Sequence, residues 1–325
     1  MAVNDDYVVG VDMGGTKILA AVIDGEGEIA QQAKTATKPK KGPDEVIKRI
    51  ERCIREAIDG AELKPSQIRA IGIGSPGPLD PETGVIIFAP NLGWSNVPLK
   101  AKLEANFSIP TFVDNDVNVG TLGESAFGAG QGVKNLVGIF VGTGIGGGII
   151  LDGKLYHGVN KTAGEVGHMI VEANGPRCGC GNFGCLEAVA SRTAITRDLQ
   201  KAIQKKGQKS KLTKLNGGKL DQIRSQAIAK AVKRGDKPTI KVMRRAGKYL
   251  GISVASIVHF LNPEMVVLGG GVIEAMGDSL LDPIRQAAAK YALPTTMDGV
   301  QIVEATLGDN AGVIGASVLA RQRLS

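Results

Sequence analysis

Two segments of this chain follow the same course. Gly14-Gly15-Thr16 leads to Val22-Ile23-Asp24-Gly25, and Gly142-Thr143-Gly144 leads to Ile150-Leu151-Asp152-Gly153. Ten residues separate the first glycine from the Asp in both copies. Each reads as an apolar strand, a glycine turn, a second strand and an Asp-Gly turn. The repeat is short, but together the copies predict a duplicated α/β domain, each half offering a glycine turn to one shared cleft. A length of 325 residues suits two domains.

The rest of the chain fits an α/β pattern. Apolar runs predict strands over 7–12, 18–24, 68–74, 111–113, 136–141, 149–152, 265–268 and 300–304. Helical periodicity predicts helices over 44–59, 117–127, 280–291 and 311–323, and a long helical region over 193–261 broken by a Lys/Gly loop at 207–219. In the first helix Val46, Ile47, Ile50, Cys53, Ile54 and Ile58 share one face, so Cys53 reads as core.

Composition excludes several classes. Aromatic residues are 4% of the chain, too few for a stacking platform that binds nucleic acid. The longest uncharged apolar run, Leu136–Leu151, has sixteen residues, six of them glycine, too short to cross a bilayer. The first six residues carry neither a basic start nor an apolar stretch. A cytoplasmic protein with reduced thiols is expected, bound to neither membrane nor nucleic acid. The net charge of +7 is uneven: from Arg197 to Arg245 sixteen Lys/Arg face three acids, +13 against −6 elsewhere. Lys201, Lys205, Lys206, Lys209, Lys211 and Lys214 belong to this stretch. It reads either as a solvated face or as an attractor for a polyanion.

Glycine turns expose backbone N–H groups, which can cradle phosphate oxygens. In Asp12-Met13-Gly14-Gly15-Thr16-Lys17 the turn is joined by a hydroxyl, an ammonium and a carboxylate able to hold hydrated Mg²⁺. A tight hairpin that needs glycine for its geometry is the plainer reading. Gly-x4-Gly-Lys-Ser/Thr is absent, which excludes a P-loop. Gly142, Gly144 and Gly147 satisfy Gly-x-Gly-x-x-Gly, but the predicted strand after them argues against a dinucleotide fold, which needs a helix there. Asp114-Asn115-Asp116 closes a strand and opens a helix. A carboxylate there can take the proton of an attacking alcohol; it can equally be a helix cap.

His168, Cys178, Cys180 and Cys185, in the context Cys-Gly-Cys-Gly-Asn-Phe-Gly-Cys, form a Cys3His set suited to a closed tetrahedral zinc site. Glu165 and Glu187 flank it. With one ring nitrogen of His168 on zinc, the other becomes a fixed hydrogen-bond donor, so the knot could orient polar groups at a substrate site.

These motifs resemble the ROK family of sugar kinases and related repressors, over nearly the whole chain. The resemblance rests on Asp12–Lys17, on Asn115-Asp116, on Glu165-Val166-Gly167-His168, and most specifically on the run from Cys178 through Cys185 to Leu186-Glu187. It implies an actin-like (ribonuclease H-like) duplicated α/β fold, two domains around a central cleft with a structural zinc knot. The division it implies is a small α/β domain over 1–119 and a large one over 120–309. The large domain would carry the zinc site and the basic segment, and the last helix, about 310–325, would pack back on the small one. It implies Asp116 as general base and hexose contacts from Asn91, Asn115, Asp116, Glu165, His168 and Glu187. Phosphate contacts would come from Asp12, Gly14, Gly15, Thr16, Lys17, Gly142, Thr143 and Gly144, and adenosine contacts from Gly269, Gly270 and Gly271. Zinc would sit on His168, Cys178, Cys180 and Cys185. One departure is Asp114, where the family pattern has Glu.

The implied activity is ATP- and Mg²⁺-dependent phosphorylation of a hexose at its 6-hydroxyl, with glucose foremost and the bacterial glucokinase branch the nearest. Mannose, an N-acetylhexosamine or fructose would use much the same residues, and the basic stretch raises polyphosphate as a second donor. A sugar-responsive repressor is disfavoured, because the phosphate turn begins at Asp12 and leaves no room for a winged helix. The family also implies a homodimer or homotetramer.

Overall fold

The computed structural model describes residues 6–324. The chain opens with β1 (Tyr7–Met13), β2 (Lys17–Ile23) and β3 (Ile29–Ala36), followed by α1 (Pro43–Gly60) and β4 (Ile68–Ser75). A small antiparallel sheet of β5 (Leu79–Asp80), β6 (Val85–Ala89) and β7 (Trp94–Pro98) comes next. After it come α2 (Leu99–Phe107), β8 (Thr111–Asn115) and α3 (Asp116–Phe127). The second half begins with β9 (Leu136–Val141), β10 (Ile145–Leu151) and β11 (Lys154–Leu155). Helices α4 (Leu186–Ala190), α5 (Arg192–Gln200), α6 (Leu212–Leu215), α7 (Ser225–Lys233) and α8 (Lys237–Leu261) lead to β12 (Met265–Gly269). The chain ends through α9 (Gly271–Met276), α10 (Asp278–Tyr291), α11 (Pro294–Met297), β13 (Gln301–Glu304) and α12 (Ala311–Leu324).

The duplication is visible in strand order. One sheet runs β3-β2-β1-β4-β8 and the other β11-β10-β9-β12-β13. Each places its strands third, second, first, fourth, fifth. In the first sheet β1 pairs antiparallel with β2 and parallel with β4, and β4 runs parallel to β8. In the second, β12 runs parallel to both β9 and β13. This is the actin-like, duplicated α/β fold.

The described residues form two compact units, one of 6–132, 148–163 and 309–324, the other of 133–147 and 164–308. Residue 119 falls inside α3, whose hydrogen-bonded turns continue to Phe127. In the first unit α1 starts with Pro43 at its first position and Asp44 and Glu45 in its first turn, favourable for a helix N-terminus. Its apolar face, Cys53 included, is buried among β1, β2 and β4. Burial pushes the Cys53 thiol up to about 11, so it stays protonated and inert.

α12 packs against β1, β4 and α3 at unusually close range. A Cβ on Gly10 would lie 1.9 Å from the Val313 carbonyl oxygen, and one on Gly72 would lie 1.8 Å from that of Ala316. On the helix side, a Cβ on Gly315 would meet the Val119 oxygen at 1.7 Å. Only hydrogen fits at these positions.

Some elements depart from the sequence expectation. β3 was not expected because its residues are half-buried and exposed in strict alternation, giving an edge strand with little apolar signal. β10 starts at Ile145 rather than 149 and takes in Gly146–Gly148, and at Gly147 and Gly148 close neighbours exclude side chains. A Cβ on Gly147 would meet the Gly164 oxygen at 2.7 Å, and one on Gly148 the Thr121 hydroxyl at 2.3 Å. The region 193–261 divides into four helices rather than two. α5 runs on through a wider π-helical turn, Lys201–Lys205, and the loop 216–224 is held by the Asn216 side chain, which donates to the carbonyls of Lys219 and Gln222.

Gly72→Ala is expected to lower unfolding free energy by at least about 2 kcal/mol, measured by denaturant titration, because the clash is with backbone. Gly142→Ala has open space around it and is expected to change stability by less than about 0.5 kcal/mol.

Candidate active site

The first unit carries the Asp12–Lys17 turn, Asn91, Asn115 and Asp116. Asn115 is the N-cap of α3: its Oδ1 accepts from the Val117 N–H at 2.9 Å and the Asn118 N–H at 3.3 Å. Asp116 is the first helical residue, half-buried, with Oδ1 accepting from the Val117 N–H at 3.0 Å. The capping and catalytic readings of this tripeptide are therefore not exclusive. Asn115 does the capping and Asp116 keeps a carboxylate oxygen to spare.

Burial pushes the Asp116 carboxyl up to about 6, and the Asp12 carboxylate adds to the rise. Burial also raises Asp12, against the opposing pull of Lys17 and with help from Asp309. Lys17 Nζ donates to Asp309 at 3.0 Å, and Asp309 is 82% exposed, so this pair is weak and exchangeable. Asp309 lies 292 residues from Lys17, and no sequence spacing links the two.

At Gly14 and Gly15 the nearest atoms to an added Cβ lie at 3.5 and 3.6 Å, the latter being Cβ of Asn91. Neither residue has a positive φ. Hairpin geometry therefore does not demand glycine at either position. The turn is fixed instead by Gly14 N–H donating to the Lys17 oxygen at 2.9 Å and the Thr37 hydroxyl donating to the Gly14 oxygen at 2.7 Å. Asn91 lies in an exposed turn beside Gly15.

The second unit carries Cys178, Cys180 and Cys185, His168, Glu165, Glu187 and the glycine turns 142–144 and 269–271. The ligand atoms of His168, Cys178, Cys180 and Cys185 all lie within 4.8 Å of one another. Cys180 and Cys185 sulfurs are 3.7 Å apart, and Cys178 Sγ is 3.8 Å from His168 Nδ1. Tetrahedral bonds of ~2.3 Å put thiolates ~3.8 Å apart, so the four donors fit a zinc ion. Burial pushes the Cys185 thiol up to about 12 and raises Cys178, whereas Cys180, exposed and accepting from the Asn182 N–H, is lowered. The hairpin that makes the knot pairs Arg177 with Phe183 and turns through 178–181, where the Gly181 N–H donates to the Cys178 oxygen at 3.1 Å. Just after it Gly184 has φ +75°, and a Cβ there would lie 1.8 Å from the Glu172 oxygen. Glu172 in turn accepts from Arg245 at 2.6 Å and Tyr249 at 2.7 Å, tying the knot to α8.

His168 turns Nδ1 to the cysteines and Nε2 toward Glu165, 3.9 Å from Oε2. Glu187 Oε1 lies 3.9 Å from Cys178 Sγ, and Oε2 accepts from the Ile145 N–H at 3.0 Å. A Cβ on Gly144 would lie 2.3 Å from that same Oε2. One carboxylate thus joins the cysteine knot to the glycine turn. Gly142 has a free approach, with nothing within 4 Å of an added Cβ and no positive φ. Thr143 Oγ1 accepts from Arg192 at 2.6 Å, and its carbonyl accepts from the Thr193 hydroxyl at 2.7 Å. Arg192 carries no motif signal in the sequence. Gly270, φ +86°, abuts the backbone of Val141, so the 269–271 turn lies against the strand that leads into Gly142. The basic stretch presents Lys201, Lys205, Lys206, Lys209, Lys211 and Lys214 as exposed side chains, while Arg245 is engaged with Asp198 and Glu172. Among the described residues no helix is long and apolar enough to cross a membrane.

Comparison with known proteins gives the lineage. The ROK family model matches residues 8–323. The chain belongs to the ROK family. A glucokinase from Halalkalibacterium halodurans is 40% identical over 98% of this chain and 96% of its own length. A glucokinase from Thermotoga maritima is 37% identical, with 98% of each chain covered. Among solved structures, a ROK family glucokinase from Streptomyces griseus in complex with glucose and AMPPNP superposes with a TM-score of 0.84. It is 36% identical and covers 97% of this chain and 99% of its own.

The raised Asp116 carboxyl has a stability cost. Between 3.8 and about 6 the folded state holds a proton that the unfolded state has released, so this group's contribution falls as pH rises through that window. Asp116→Asn is expected to be more stable than the parent at pH 8, by on the order of 1–2 kcal/mol. The gap should close below about pH 4, where both states of the parent are protonated. Thermal midpoints measured against pH check this; a constant gap would contradict it.

Proposed function

We propose that this ROK chain is a glucokinase, transferring the γ-phosphoryl group of ATP to the 6-hydroxyl of glucose. The observation that carries this reading is Asp116, a half-buried carboxyl at the first turn of α3 that burial and the Asp12 carboxylate push up to about 6. A base with a raised pKa can accept the proton of an alcohol that is itself a poor nucleophile. Full-length similarity to the glucokinases supports the choice of glucose and ATP.

The roles follow from the local geometry. Asn115 spends its Oδ1 on the helix cap, which leaves its amide N–H groups to donate to a sugar oxygen. Asn91, Glu165, His168 and Glu187 supply further sugar contacts, with His168 offering Nε2. Asp116 takes the proton from the 6-hydroxyl as that oxygen bonds to the γ-phosphorus and the bond to the leaving ADP breaks. Gly14–Lys17 and Gly142–Gly144 line the phosphates, where unhindered glycine lets backbone N–H groups approach, and Gly269–Gly271 meets the adenosine. Asp12 is the carboxylate for hydrated Mg²⁺, which supplies charge neutralisation on the phosphates. His168, Cys178, Cys180 and Cys185 would hold zinc, which would fix the imidazole tautomer, while the Ile145 N–H holds Glu187 beside Cys178.

Asp116→Ala is expected to lower kcat at least ~10²-fold with the circular dichroism spectrum unchanged; near-normal turnover would sink the assignment. Glucose with ATP should be the fastest pair in a panel that includes mannose, N-acetylhexosamines and fructose, with polyphosphate as the test donor. Preference for another hexose would overturn the substrate.

The purified protein should hold one equivalent of zinc. Cys180→Ser is expected to lose it and to raise KM for glucose at least ~10-fold. Full glucose affinity in a verified metal-free protein would disconnect the knot from the sugar.

A further inference from the structure

Asp114 and His157 are not among the residues with a proposed role, yet they make a tightly built polar contact in the first unit. His157 Nε2 lies 2.6 Å from Asp114 Oδ2. The side chains are 16% and 2% exposed. The other carboxylate oxygen of Asp114 accepts from the Asn115 N–H at 2.7 Å and from Asn118 Nδ2 at 3.0 Å. Three donors converge on one buried carboxylate, and each comes from a different place. Asn115 N–H belongs to the end of β8. Asn118 lies in the first turn of α3. His157 belongs to the segment after β11, in a loop closed by the Ala163 N–H donating to the His157 oxygen at 2.9 Å.

This arrangement bears on the two residues that follow Asp114. Accepting from the Asn115 N–H sets the peptide plane from which Asn115 and Asp116 depart. Asn118 is itself capped by Asn115 Oδ1 through its backbone N–H, so Asp114 and Asn115 grip the same turn from two sides. His157 supplies the donor that keeps Oδ2 directed away from Asn115, and with it the side-chain torsion of Asp114. The carboxylate is buried, so it needs that donor; a buried carboxylate deprived of one reorients or takes up water. Either response would move the Asn115-Asp116 turn.

We propose that the His157–Asp114 pair is a positioning device that holds Asp116 at the angle the phosphoryl transfer requires. The proposal rests on the reading of Asp116 as general base. It also gives a physical use to the shorter acid at 114, where Glu was expected: the pair is built at hydrogen-bond distance with Asp, and one more methylene would have to be accommodated.

The pair is a positioning element, so its loss should appear in turnover rather than in nucleotide binding. His157→Ala is expected to lower kcat per folded enzyme at least ~10-fold, since displacements of about 1 Å at a reacting group cost up to ~10²-fold, while KM for MgATP changes less than ~2-fold. His157→Gln, whose amide Nε2–H can still donate to Asp114, should recover most of the loss. Asp114→Ala combined with His157→Ala should be no worse than Asp114→Ala alone.

If His157→Ala does not fold, His157→Asn replaces it, because its amide is too short to reach Asp114. A kcat within ~2-fold of the parent for the non-donating variant, or equal losses in the Gln and non-donating variants, would overturn the proposal and leave the contact as a tie for the segment 148–163. Asp116→Ala is assayed in parallel. Retained turnover there removes the base assignment itself. An inactive Asp116→Ala beside a normal His157→Ala removes only the positioning role.

Discussion

The approach of α12 to the first sheet governs the proposed base and its neighbours. Hydrogen is the only substituent that fits at Gly10, Gly72 and Gly315, where helix and strand backbones, or two helix backbones, touch. That contact brings the first turn of α12 under Asp12, where a Cβ on Gly312 would lie 2.8 Å from the carboxyl carbon. It also seats α3, whose first residue is Asp116, against α12 and the end of β4. Close packing thus sets the spacing of the two carboxylates. Burial first, and the Asp12 carboxylate second, then push the Asp116 carboxyl up to about 6.

The second unit solves a different problem with different means. Its Cys-rich hairpin has little apolar surface of its own, so a four-donor cluster and the Glu172–Arg245–Tyr249 contacts do the fixing. Glu187 is the joint: it stands beside Cys178, accepts from Ile145 N–H and fills the space a side chain at 144 would need. The four-donor cluster and the Gly142–Gly144 turn are joined through this one residue.

Much of this was legible in the sequence. The paired strand–glycine–strand segments foretold a duplicated α/β fold, and the Cys-Gly-Cys-Gly-Asn-Phe-Gly-Cys run with His168 foretold a cluster whose donor atoms the structure brings within 4.8 Å of one another. Other features carried no local signal. β3 is a polar edge strand, and β5 to β7 are too short for periodicity to register. The glycines were read mainly as ligand turns and knot residues, but Gly10, Gly72, Gly123 and Gly315 serve close packing, which depends on neighbours hundreds of residues away. Lys17 with Asp309, Thr143 with Arg192 and Asp114 with His157 are likewise tertiary pairs; only the fold brings them together.

In the proposed reaction, burial and the Asp12 charge hold Asp116 ready to act as a base. The most direct test is the pH dependence of kcat/KM for glucose at saturating MgATP, which reports groups on the enzyme before the sugar binds. A limb rising through pH about 6 with unit slope is the expected result. A profile flat from pH 5 to 8, or one whose limb persists in Asp116→Asn, would contradict it.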